Sequence, residues 1–269
     1  MVRPKKFLGH FFMKTKLVLF ITLIFAISCS TEKKKSINYL ELGNLLPRDY
    51  SEQLASMGED YLLKDGIKEI PLSKKSQIYL EQIFNRIVTN NEIFFENKEK
   101  PQFHIIKDKS PFFFSLPGAQ FYFSSGLFQK YLKSEELFAS VLSVEIIKSK
   151  RNIYEKKPVI PLGNCSTEKM IQLTRVSASH RHQLNEWSYL VLKRSGFDPS
   201  VTLNWIQVQN RNVLDFALLH GDTSSISREE HLFKNFMAKE GVTALERKTI
   251  EANSSQDFYQ LMNHIAGSE

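Results

Sequence analysis

Cysteine is almost missing from this chain. Its 269 residues include two, Cys29 and Cys165, so no Cys-x-x-Cys pair exists and the metal and redox sites built on that pair are excluded. No glycine-rich turn has the spacing of a phosphate cradle, no Ser, His and Asp stand in an order that suggests a hydrolytic triad, and no internal repeat is visible. The one long apolar run, residues 17–27, is too short to cross a bilayer, which takes about 20 residues. A basic excess is also missing where it would matter. The formal charge is +7, but residues 1–28 hold five basic residues and no acidic one, which leaves the remainder at +2. That balance gives no argument for nucleic acid binding.

What is present at the start is an export signal. Met13-Lys14-Thr15-Lys16 is a short basic region, residues 17–27 are apolar, and Ala26-Ile27-Ser28-Cys29 resembles a bacterial lipobox. Residues 1–28 are therefore expected to be a lipoprotein signal peptide, with Cys29 lipidated and residues 29–36 a flexible, lysine-rich tether. Met13 is a better start than Met1, so residues 1–12 read as a mis-called extension. An uncleaved anchor is the other reading. Either one tethers the chain to a membrane outside the cytoplasm. Ser30 after the cysteine resembles lipoproteins of the outer membrane that face the periplasm. Cys165 is then alone and has no intramolecular partner. It reads as a small, partly buried thiol, with a ligand or mixed-disulfide role as the alternative.

The rest of the chain is organised around residues 134–150. Ser134 is a good N-cap, and Glu135 and Glu136 sit in the first turn, where the helix dipole favours negative charge. Leu137, Val141, Val144 and Ile147 follow at spacings of three and four, which predicts a helix with one apolar face. Glu145 stands in this apolar run, where a carboxylate must be exposed, paired or part of a site.

Three further blocks flank that helix. Upstream lie Phe114-Ser115-Leu116-Pro117-Gly118-Ala119 and Ser125-Gly126-Leu127, and downstream lies Gly196-Phe197-Asp198-Pro199. In this order, over roughly residues 102–199, the blocks resemble the gluzincin zinc metallopeptidases of the BepA/HtpX type. The resemblance implies an α+β fold that is mainly helical. A small, mostly antiparallel sheet would pack on a degenerate HExxH-type helix, with residues 37–100 as N-terminal helices, 101–200 as the core and 201–269 as further helices. It also implies where the chemistry should be. That chemistry needs two His four apart on one helix face, a Glu after the first as general base, and a later Glu as third zinc ligand. Here the first His position holds Val144, the base is Glu145, and the second His position holds Lys148. Counting back from Gly196 puts the third ligand on Gln183, with Asn185 at the acidic position two residues later. Valine cannot ligate, lysine is a cation, and both later positions are neutral amides. The resemblance therefore implies a vestigial general base, no metal and no cofactor. Glu145 and Lys148 are placed to form an ion pair, worth about a few tenths of a kcal/mol if exposed.

Around this core, helices are expected near residues 50–63 and over 73–90, the latter with Ile78, Leu80, Ile83, Phe84 and Ile87 on an apolar stripe. Strands are expected over 102–107, 112–116 and 120–124, turning at Pro117-Gly118. The second strand would put Phe112 and Phe114 on one face and Phe113 on the other. These three phenylalanines are either core or, as in the family's edge strand along the cleft, a peptide-binding strand. A loop is expected over 149–165, then one long helix or two over 167–195, with Trp187 and Tyr189 in the core. Helices should follow over 201–219, 227–239, 242–252 and 257–266. His182 and Glu186, four apart, share a helix face and with Glu145 are the only makings of a substitute zinc site.

The function expected is that of a membrane-anchored metallopeptidase-like lipoprotein of the bacterial envelope. It would be inactive as a peptidase and would bind or scaffold unfolded or assembling envelope proteins. An active zinc endopeptidase with displaced ligands is the alternative.

Overall fold

The computed structural model describes residues 47–93, 95, 99–155, 165–240 and 254–268. The chain divides into two units, 1–44 and 45–269, and every described residue belongs to the second. The lipobox with Cys29, the tether and the helix expected over 242–252 lie outside the described residues.

The fold is α+β and mainly helical, with one small sheet. α1 (Pro47–Leu62) leads to β1 (Glu69–Ile70), α2 (Lys74–Thr89), β2 (Gln102–Ile106), β3 (Phe113–Leu116), β4 (Gln120–Ser124) and α3 (Ser125–Lys130). Then come α4 (Glu135–Arg151), α5 (Thr167–Thr174), α6 (Ala178–Arg194), α7 (Val201–Arg211), α8 (Ala217–His220), α9 (Ser224–Lys239) and α10 (Gln256–Gly267). The strand order is β1-β2-β4-β3, with β2 and β4 parallel and the other two pairs antiparallel. β1 is a strand that the sequence does not announce, and β3 lies at the opposite edge.

Period-two alternation sorts the sheet's side chains into two cores. Phe121 and Phe123 of β4 join α2, α4, α6, α7 and α10 on one face. Phe112, Phe114, Leu116 and Tyr122 join α1 and α5 on the other. On that second face Phe114 stacks on Tyr122 with centroids 4.7 Å apart, and Tyr61 meets Phe114 edge-on at 5.5 Å. A third cluster, with Tyr189, Leu203, Ile206, Phe233 and Met237, joins α6, α7 and α9.

α4 starts as expected: the Ser134 hydroxyl accepts from the Leu137 N–H. It does not present a single apolar face. Residues 137–143 and 145–149 are buried all around the helix, because the sheet and several helices enclose it. It also runs to Arg151, into the expected loop, and ends at Asn152 in the left-handed conformation (φ 50°). In α2 the stripe shifts by one residue: Tyr79 is buried and Ile78 is exposed. Ile78 lies about 200° around the helix from Leu80 and so cannot share its face. Trp187 is likewise half-exposed, whereas Tyr189 is core. The helix expected over 201–219 breaks into α7 and α8.

The Leu-Pro-Gly block is fastened to the end of α4. The Ser149 hydroxyl donates to the Leu116 carbonyl at 2.6 Å and accepts from the Ala119 N–H at 3.0 Å. Gly118 (φ 82°) and Ala119 (φ 57°) both take the left-handed conformation that this turn requires. Ser149→Ala would leave a carbonyl and an N–H of a buried turn without partners. We expect it to cost about 1–3 kcal/mol in urea unfolding, with an unchanged m-value.

Candidate functional site

Glu145 sits on the buried stretch of α4 with about 1% of its surface exposed. Both of its carboxylate oxygens accept from Lys148 Nζ, at 2.9 and 2.8 Å. The ion pair expected from the sequence is therefore present, but it is buried rather than exposed: Lys148 retains 7%. Its energetics follow from that. Two charges have left water, and each is compensated mainly by the other.

The pair lines a cavity of about 70 Å³ bounded by α4, α5, α6, α7, α8, α9 and Phe113 of β3. Such a volume holds on the order of a few waters. The facing wall comes from α6, where Arg181, Leu184 and Asn185 point inward. Ser188, one turn further on, bonds Ser143 of α4 at 2.5 Å. Residues 181, 184, 185 and 188 share a helix face, and residue 183 lies on the other side. Gln183 is accordingly exposed and does not line the cavity. From α6, Arg181 and Asn185 line the same cavity as Glu145.

A second buried pair completes that wall. Glu229 of α9 (5% exposed) accepts from Arg181 Nε at 3.1 Å and from Asn185 Nδ2 at 2.6 Å. Burial pushes the Glu229 carboxyl above the usual range, and the Arg181 charge pulls it back. Arg181 also reaches Ser225 Oγ at 2.7 Å and the Val176 carbonyl at 3.0 Å. His220, at the end of α8, lines the cavity with 6% of its surface exposed, and its Nε2 lies 2.6 Å from Gln209 Oε1. Burial, then the Arg181 and Arg175 charges, push its pKa down to about 3, so its ring is neutral.

The sequence pointed to Val144, Glu145, Lys148, Gln183 and Asn185 at this place, and all of them but Gln183 line the cavity. It did not single out Arg175, Arg181, Gln209, His220 or Glu229. One signal for Glu229 was available. Ile226, Glu229, Phe233 and Met237 recur at spacings of three and four, so the carboxylate stands on the buried stripe of α9. His182 and Glu186 do share a face, with Nε2 to Oε1 at 3.2 Å, but neither lines the cavity. Of the three phenylalanines, Phe112 and Phe114 are buried in the core on the far side of the sheet, and Phe113 borders the cavity against Trp205. The outward carbonyl of Ser115 on this edge strand accepts from the Tyr154 hydroxyl at 3.2 Å. Cys165 is buried, and desolvation raises its thiol pKa.

The donor set does not suit zinc. Each carboxylate in the lining already has a cation: Glu145 has Lys148, and Glu229 has Arg181. A divalent ion would meet Lys148, Arg175 and Arg181 in the same small volume. Two like charges 4 Å apart repel by about 4 kcal/mol at an effective dielectric constant of 20. Among the described residues no group of three or more His, Cys, Asp or Glu side chains is placed to hold a metal.

No family model matches this chain, and no curated protein matches it in sequence.

Proposed function

We propose that this is a lipid-anchored, metallopeptidase-like lipoprotein of the bacterial envelope. In this reading it has no peptidase activity and binds unfolded or assembling envelope proteins. The observation that carries it is the Lys148 ammonium, which occupies both oxygens of Glu145. A general base works by taking a proton from a water that a metal has acidified. Here its lone pairs are engaged by a fixed cation, and the helix face that would supply ligands supplies Val144 and Lys148 instead. The Leu116–Ala119 turn, the buried central helix and the edge strand β3 support the scaffold half of the reading. The sequence around Cys29 supports the anchor.

The test is elemental and kinetic. The purified full chain should carry far less than one zinc per molecule and should leave unfolded casein intact. Stoichiometric zinc, lost together with cleavage on chelation and in Glu145→Gln, would overturn the proposal in favour of a peptidase with displaced ligands. Lipid attachment is read separately: labelled palmitate should enter the chain and fail to enter Cys29→Ala.

A further inference from the structure

α8 ends on a side chain that has no room for a charge where it stands. His220 is buried, its Nε2 lies 2.6 Å from Gln209 Oε1, and its Nδ1 is buried without a partner. A neutral ring satisfies this arrangement with one N–H, given to Gln209. An imidazolium carries a second N–H, on Nδ1, and among the described residues nothing accepts it. The charges that act on the ring are cations, Arg181 of α6 and Arg175 between α5 and α6. The carboxylates of the neighbouring elements are engaged elsewhere. Glu229 of α9 holds Arg181 and Asn185, Glu145 of α4 holds Lys148, Asp222 holds Ser224, and Glu155 acts on Arg175. α7 brings the neutral Gln209, α5 brings Ile171 and Thr174, and β3 brings Phe113.

The element that carries this ring is lightly held. α8 has four residues and no side-chain cap, and it stops at Gly221 (φ 73°). Its backbone bonds run from the His220 N–H to the Phe216 carbonyl at 3.1 Å and from the Gly221 N–H to the Ala217 carbonyl at 2.8 Å. From outside, Arg175 donates to the Leu218 carbonyl and Arg181 Nη1 lies 3.5 Å from the His220 carbonyl. Ala217, Leu218 and Leu219 are only partly buried, and Leu214 ahead of them is exposed. Segments with so little buried surface open at lower cost than the fold as a whole. Phe216, fully buried against Trp205, and Gly221 are the two ends about which this one can turn.

We propose that α8 is an acid-released flap: when a proton reaches His220, residues 217–221 lift, and the cavity wall of Ile171, Val176 and Trp205 opens to water. Lifting brings Nδ1 to solvent, where its N–H finds acceptors, and takes the new charge away from Arg175 and Arg181. A neutral His220 keeps the flap shut. An exposed imidazole takes its proton near pH 6.5 and the buried one only near pH 3, so the ratio of open to shut flap rises about tenfold for each pH unit lost between those values. Glu229, whose carboxyl is pushed up by burial, takes its proton in the shut fold and works the other way, so the control is a variant of His220 itself. The inference goes beyond the reading of the protein as a binder and does not need it, because opening is read on the protein alone, without zinc, protease assay or client.

The full chain in detergent is followed from pH 7 to 5 by amide hydrogen exchange, each rate divided by the intrinsic rate at that pH. The His220 and Gly221 amides should lose protection about tenfold per pH unit below about pH 6.5, and the amides of α4 should stay better protected than these throughout. In His220→Gln the pH-dependent loss at Gly221 should vanish. A second measurement stands on the wild type if that variant does not fold. Low concentrations of urea should barely speed exchange at His220 and Gly221, because a small opening exposes little surface, whereas the α4 amides should speed up with urea. Protection that does not change with pH, the same loss in folded His220→Gln, or a urea dependence at His220 and Gly221 equal to that of α4 would overturn the proposal.

Discussion

Lys148→Met should destabilise the protein by about 3–5 kcal/mol, the range measured when one partner of a buried ion pair is removed. The reason is the partner left behind. Glu145 is 1% exposed, and both its oxygens are bonded to Nζ, so the variant buries a carboxylate with nothing to answer it. The double variant Glu145→Gln with Lys148→Met should recover most of the loss. It removes both charges together, and buried pairs replaced by neutral groups of similar volume are often no less stable. Urea midpoints at constant m-value would read both numbers. A single-variant cost below about 1 kcal/mol would mean that the pair behaves as a surface pair and that water reaches Glu145.

A second large effect is expected with acid. His220 is neutral in the fold because burial and two neighbouring guanidiniums hold its pKa at about 3, whereas in the unfolded chain it titrates near 6.5. Below about pH 6.5 the unfolded chain takes a proton that the folded chain refuses, so stability falls as pH falls. The loss is about 1.4 kcal/mol per pH unit, or about 2 kcal/mol between pH 6.5 and 5. Glu229 and Glu136, whose pKa values are raised chiefly by burial, act in the opposite direction, because their folded forms protonate more readily. The comparison of wild type with His220→Gln at each pH cancels those carboxylates. His220→Gln should flatten the acid slope by about the stated amount. Identical slopes for the two proteins would show that His220 meets water in the fold.

The sequence showed part of this arrangement and hid the rest, for reasons of range. The start of α4 was legible because a cap and a helix dipole act within one turn of chain: Ser134, Glu135 and Glu136. The strands around Phe113 and Phe121 were legible because a period of two is local. The all-round burial of α4 was not legible, because it depends on what packs against the helix from residues far away in sequence. β1 has two residues, too few for any pattern. The pairing of Arg181 with Glu229 spans 48 positions and joins two helices whose relative placement no periodicity encodes. Counting back along the chain from Gly196 gives Gln183, which the fold leaves exposed and outside the cavity. Counting around the helix instead puts Asn185 about 200° from Gln183, on the face that carries Arg181. His220 sits in a four-residue helix without a side-chain cap, and nothing local marks it as buried.

The enclosure of α4 has a consequence for how this chain can change over time. A helix on a protein's surface absorbs an extra residue by turning its new phase towards solvent. α4 has no solvent side over residues 137–143. One codon inserted there would rotate everything downstream by about 100°. Glu145 would part from its place facing the cavity, and Ser149 would part from the turn it fastens. Gene lineages of this protein should therefore keep the length of that helix fixed even where single residues on it change in identity.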